Sequence, residues 1–104
     1  MDYYFIGDAE LLTAFRFIGI DGTAVHNETE AAEIFKQITE GKKFPDCNIL
    51  ILTEEISVWL KDILVNWELS GQYPIIAEIP GIMGRIPGKK KLTEAIREAI
   101  GIHV

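Results

Sequence analysis

The stretch Tyr73-Pro74-Ile75-Ile76-Ala77-Glu78-Ile79-Pro80-Gly81 is an apolar run bracketed by two prolines, with a single acid inside. Proline has no N–H to give a β-ladder and is confined to strand ends, bulges and edge strands, so the bracket predicts a strand at the margin of a sheet. Such an edge presents unpaired backbone groups, and one this apolar is expected to meet another element or another chain.

Upstream of it, Cys47-Asn48-Ile49-Leu50-Ile51-Leu52 is almost continuously hydrophobic, the pattern of a central parallel strand covered by helices on both faces. Between the two strands, Thr53-Glu54-Glu55 opens one helix with a cap and two acids at its positive end. Ile56, Trp59, Leu60, Ile63, Leu64 and Trp67 fall on its buried side, Val58 and Val65 fall opposite as surface apolars, and Gly71 closes it.

Toward the N-terminus, Tyr3 to Ile6 reads as a buried first strand, followed by Asp8 as N-cap of a helix carrying Leu11, Leu12, Phe15 and Ile18 at helical spacing. Gly19 and Asp21-Gly22 stop and turn the chain, and Thr23 to His26 is a short marginal strand. Asn27-Glu28-Thr29-Glu30 resembles a capping box, and the helix after it buries Ala31, Ile34, Phe35 and Ile38 and ends at Gly41. Strands alternating with helices predict a four-stranded parallel α/β sheet with right-handed crossovers, in the receiver or flavodoxin-like order 2-1-3-4.

Beyond Gly81, the segment Ile82 to Gly88 is rich in Gly and Pro and reads as a linker. Lys89-Lys90-Lys91 then leads into Leu92, Ala95, Ile96, Ala99 and Ile100, one narrow apolar face of a C-terminal helix. The expected division is a sheet domain over 1–81, a linker over 82–91, and a helix and tail over 92–104. The tail helix either folds back on the sheet or docks on a partner, and its spacing leaves both open.

Composition narrows the function. The 104 residues suit a single domain, and with 48% hydrophobic and 25% charged residues they describe an ordinary globular protein. Met1-Asp2 carries acid where a signal peptide carries positive charge, which predicts a cytoplasmic chain. The net charge of −6 lacks the basic stripe of a nucleic-acid binder. It is also divided: residues 1–88 hold 14 acids against 6 Lys and Arg, while residues 89–104 hold 2 against 4.

No constellation for chemistry emerges. Gly7 stands without the G-x-G-x-x-G pattern, and the run from Gly84 to Lys91 misses a phosphate loop because Met83 occupies its first glycine position and Lys90 its Ser or Thr. A signalling receiver would pair acids after the first strand and place an aspartate after the third, where this chain offers Asp8 alone, then Thr53, Glu54 and Glu55. Cys47 reads as a small buried hydrophobe, and His26 and His103 have no ligand-like spacing. We therefore expect no catalytic residue, no metal and no cofactor. A free-standing receiver-like signalling domain is the alternative function.

Four segments carry a family resemblance: Tyr4-Phe5-Ile6-Gly7-Asp8, Ile49-Leu50-Ile51-Leu52-Thr53-Glu54, the proline-bracketed stretch, and Ile96-Arg97-x-Ala99-Ile100-Gly101-Ile102. They resemble the F subunit of the vacuolar/archaeal-type (V/A-type) rotary ATPases. The resemblance implies a receiver-like domain with a C-terminal helix, bound to the coiled-coil D subunit of the central stalk. It also implies a protein without catalytic residues, peripheral to the membrane, in a complex that couples ATP hydrolysis or synthesis to ion transport. On this basis the fourth strand and the tail helix are expected to form the docking surface, through Ile75, Ile76, Glu78, Ile79, Pro80, Ile82, Leu92, Ile96, Ala99 and Ile100. Glu78 is expected to act there as a surface acid, so that its loss weakens docking and leaves stability alone.

Overall fold

The computed structural model describes residues 2–40 and 47–101. Gly41, expected to end the second helix, and the closing Ile102, His103 and Val104 lie outside these residues. The elements are β1 (Tyr3–Gly7), α1 (Ala9–Phe17), β2 (Gly22–Ala24), α2 (Glu28–Thr39), β3 (Ile49–Thr53), α3 (Glu54–Trp59), α4 (Lys61–Ser70), β4 (Ile75–Ile79) and α5 (Leu92–Ala99). All four strands are parallel and lie in the order β2-β1-β3-β4, so the proline-bracketed strand is the edge its sequence predicts.

Local signals place the helix starts. The Asp8 carboxylate accepts the Leu11 N–H at 2.8 Å, and the Asn27 side chain accepts the Glu30 N–H at 2.9 Å. Glu30 reaches back one residue beyond the cap, to the His26 N–H at 2.8 Å. These contacts satisfy N–H groups that a first helical turn leaves without partners.

Strand register then sorts the side chains. Tyr4 pairs with Leu50 and Leu50 with Ile76, while Ile6 pairs with Leu52 and Leu52 with Glu78, so these residues share one face of the sheet. Ala31, Ile34, Phe35 and Ile38 of α2 and Ile56 of α3 cover that face together with Leu64 of α4, closing a core in which Leu50, Leu52 and Leu64 are fully buried. The Phe35 and Trp67 rings meet edge to face at 5.9 Å, and the Trp67 indole N–H donates to the Pro74 carbonyl at 2.8 Å, which pins α4 to the start of β4.

Two features depart from the sequence expectation. The single helix between β3 and β4 is two helices, broken at Leu60, whose φ of −112° and ψ of 22° leave the helical region. Neither Pro nor Gly marks the break. Beyond it Leu60, Leu64 and Val65 are buried and Ile63 is 45% exposed, so Ile63 and Val65 exchange the places their spacing in one continuous helix predicts, while Val58 is exposed as expected. Thr53 precedes α3 but makes no side-chain cap.

The second departure concerns coverage. On the opposite face Phe5 is fully buried because α1 lies over β1 and β2, its Phe15 ring 4.7 Å from that of Phe5. No corresponding helix among the described residues covers β3 and β4 there. Ile49 and Ile51 stay partly exposed although β3 is central, and Ile75 is 49% exposed. The continuous hydrophobicity of β3 thus does not reflect helices on both faces. α5 packs instead beside α4, with Leu92 and Ala95 joining the main core.

The sheet also has a tight point that can be tested. A Cβ on Gly22 would lie 2.3 Å from the Phe5 carbonyl oxygen, a backbone atom that cannot move without parting β1 from β2. Gly22→Ala is expected to cost about 2 kcal/mol through such overpacking, measured as a lower urea midpoint with an unchanged slope.

Candidate functional site

Glu78 is the one acid of the proline-bracketed strand, and its register with Leu52 aims it at the helical side of the sheet. There one carboxylate oxygen accepts from the Lys89 ammonium at 2.7 Å, and the other accepts the Leu92 N–H at 3.1 Å. Leu92 is the first residue of α5, and Lys91 before it supplies no side-chain cap. A strand residue 14 positions upstream therefore caps the helix, placing negative charge at its positive end. The Glu78 and Lys89 side chains are only 11% and 10% exposed, so this contact is an internal joint rather than a surface ion pair.

Burial alone would raise the Glu78 pKa. Lys89, the approach of the Ser57 hydroxyl and the Leu92 N–H outweigh it and hold the carboxyl below its ordinary value of 4.5. Ser57 is itself buried, and its hydroxyl makes no hydrogen bond of ordinary geometry. A second internal carboxylate holds the linker: Glu54, 3% exposed, accepts the Ile86 N–H at 3.2 Å. Glu54 stands in the first turn of α3, as its sequence predicts, and its contact with residue 86 is an additional role.

The crevice at the C-terminal ends of the strands, where open α/β sheets bind ligands, is lined by Asp8, Thr53, Glu54, Glu55, Ile82 and Met83 among others. Two of its acids have internal work, Asp8 on the Leu11 N–H and Glu54 on Ile86. Among the described residues no three His, Cys, Asp or Glu side chains gather as a metal site. Cys47 is buried, and burial pushes its thiol pKa up, away from the thiolate a nucleophile needs.

The ten residues expected to dock do not form one surface. Ile75 and Ile79 lie on the α1 side of the sheet, whereas Ile76 and Glu78 face the opposite helices. Leu92 is buried and Ile96 partly buried within the fold, Pro80 and Ile82 are exposed where β4 ends, and Ala99 and Ile100 are exposed at the far end of α5. The outward N–H of Ile76 on the edge strand is already taken by the Glu68 carboxylate at 2.9 Å. Sequence reasoning missed Tyr3, Ile49, Ile51 and Ala77, which stand exposed or partly exposed beside Ile75 and Ile79. The signal was the parity of the strands set against the single helix available to cover that side.

Fold and site together define a receiver-like α/β domain with a tail helix clamped to its sheet. No helix among the described residues is long and apolar enough to cross a membrane. Residues 4–100 match the family described as ATP synthase (F/14-kDa) subunit, and the chain belongs to it. It is 27% identical to the A-type ATP synthase F subunit of Thermococcus sibiricus over 103 residues, covering 95% of this chain and 93% of the relative. Identity to the A-type ATP synthase F subunit of Methanocaldococcus jannaschii is 31% over 100 residues, covering 95% and 94%, and to that of Methanosphaera stadtmanae 29% over 105 residues, covering 99% and 95%.

The joint predicts a pH dependence. A carboxyl whose pKa is lower folded than unfolded stabilises the fold above the unfolded value, and that contribution is lost as pH falls through the folded one. Glu78→Ala is therefore expected to cost about 2 kcal/mol at pH 7, since it strands Lys89 and uncaps α5, and the gap from wild type should shrink below about pH 4. Thermal melts of both proteins from acid to neutral pH measure it. An unchanged melting temperature at neutral pH would return Glu78 to the surface role expected from the sequence.

Proposed function

We propose that the chain is a non-catalytic central-stalk component of a vacuolar/archaeal-type rotary ATPase, bound to the coiled-coil D subunit. It serves there as part of the rotor that couples ATP hydrolysis or synthesis to ion movement across the membrane, in the cytoplasm and peripheral to the bilayer. The observation that carries this reading is the family match over residues 4–100, nearly the whole chain. The fold supports it physically. Two of the three acids of the strand-end crevice are used in holding the structure, while the sheet presents apolar surface that a partner can cover.

The same geometry changes what the tail is expected to do. Leu92 and Ala95 belong to the main core and α5 packs beside α4, so in this state the helix acts as a brace. Ala99 and Ile100, at its far end, remain available for contact.

Mixing the purified chain with the D subunit at micromolar concentration should give one earlier-eluting peak on gel filtration that contains both. Separate elution of the two at low ionic strength would defeat the rotor reading. Removing residues 89–104 should weaken the folded domain as well as the complex, because it uncovers Val65 and leaves Glu78 without Lys89. A drop in melting temperature before any partner is added is the expected sign.

A further inference from the structure

A pocket of about 230 Å³ opens where the end of the linker meets the junction of α3 and α4, beside the start of α5. Lys61, Lys89 and Lys90 line it together with Val58 and Ala95, and so does the buried Ser57. The space is many times what one water needs. Lys61 opens α4 just after the break at Leu60, and Lys89 and Lys90 end the linker, so lysines distant in sequence share one opening.

Two observations separate this opening from a chance gathering of surface lysines. Ser57 is 3% exposed, and its hydroxyl approaches the Glu78 carboxylate without reaching hydrogen-bond geometry, which leaves a buried polar group unpaired. Lys89 is nearly buried as well. Its ammonium donates to Glu78 and to the Lys90 carbonyl, each at 2.7 Å, and an ammonium has a third N–H to give.

The charges around the pocket favour an anion. No acid lines it among the described residues. Glu78 holds Lys89, Glu98 holds Lys90, Asp62 lines the groove farther along α4 and α5, and Glu54 and Glu55 line the strand-end crevice. Glu94, in the first turn of α5, acts on the charge of Lys90 from outside the pocket. Lys61 enters no ion pair among the described residues, so its charge is left uncompensated. Ammonium groups donate and cannot accept, and lysines bind as point charges, which suits a tetrahedral oxyanion with acceptors on several sides.

We infer that this pocket binds a phosphate group through Lys61, Lys89, Lys90 and the Ser57 hydroxyl. The group is inorganic phosphate or the phosphate of a small ester whose carbon part lies on Val58. Bound there, it ties the start of α4 to the end of the linker and stabilises the folded chain over the unfolded one. The inference does not depend on the rotor reading, and its failure would leave that reading untouched.

The test uses the full chain, in thermal melts and titration calorimetry with sodium phosphate against sodium chloride of matched ionic strength. Phosphate at about ten times its dissociation constant is expected to raise the melting temperature by roughly 5 °C. Phosphate also stabilises folded proteins by exclusion from their surface, so the variants decide. Lys61→Met, at an exposed position, should melt as the wild type does in chloride and bind phosphate roughly tenfold more weakly, having lost one charge-assisted contact. Ser57→Ala should weaken binding severalfold. No saturable binding by the wild type, or equal binding by Lys61→Met, would overturn the site. Full binding by Ser57→Ala would give the hydroxyl to Glu78 alone and overturn it too. With glycerol phosphate as the probe, tighter binding would uphold the pocket with the ester as its ligand, and weaker binding would uphold it with the free anion.

Discussion

The contact from the Glu78 carboxylate to Lys89 and the Leu92 N–H decides how the molecule is arranged. It fixes the point at which the chain, having left the edge strand and crossed the strand ends, returns as a helix on the α4 side. With α5 there, one face of the sheet has four helices packed over or beside it and the other has one. Both the thickness of the core and the exposure of the second face follow from that choice. The energetic sense is local: a helix with no capping residue of its own receives a carboxylate from the strand beside it, in a site where water competes poorly.

Strand order, the edge position of the proline-bracketed strand and the helix starts were legible because each has a short-range cause. Proline cannot donate, and Asp8 and Asn27 can accept from the turn that follows them. The break at Leu60 was not legible, since helices over 54–59 and 61–70 show the same apolar spacing as one continuous helix until the offset exchanges Ile63 with Val65. Nor was the bare face, because Ile49-Leu50-Ile51-Leu52 reads alike whether its odd positions lie under a helix or under solvent. Glu78 misled for a related reason. An acid in an edge strand is ordinarily a solvated one, and its internal partners lie 11 and 14 residues away across a linker whose path no local pattern sets.

The divide in the sequence, acidic to residue 88 and basic after it, folds into a molecule whose α5 side carries most of the cations. Some of those cations are consumed internally, Lys89 on Glu78 and Lys90 on Glu98. Most of the acids lie on the same side, on α2, α3, α4 and α5, so that side is not basic.

The hydrogen bond from the Ile76 N–H to Glu68 bears on the life of the protein before assembly. A newly made chain with an uncovered apolar face is exposed to self-association, and the dangerous form is growth of the sheet strand by strand, which templates further growth. With the first of its two outward donors occupied by a carboxylate anchored on α4, the edge offers no continuous ladder to copy. What remains sticky is a flat face, whose contacts are reversible and end after one encounter, so the orphan chain can wait for its complex without seeding a fibre.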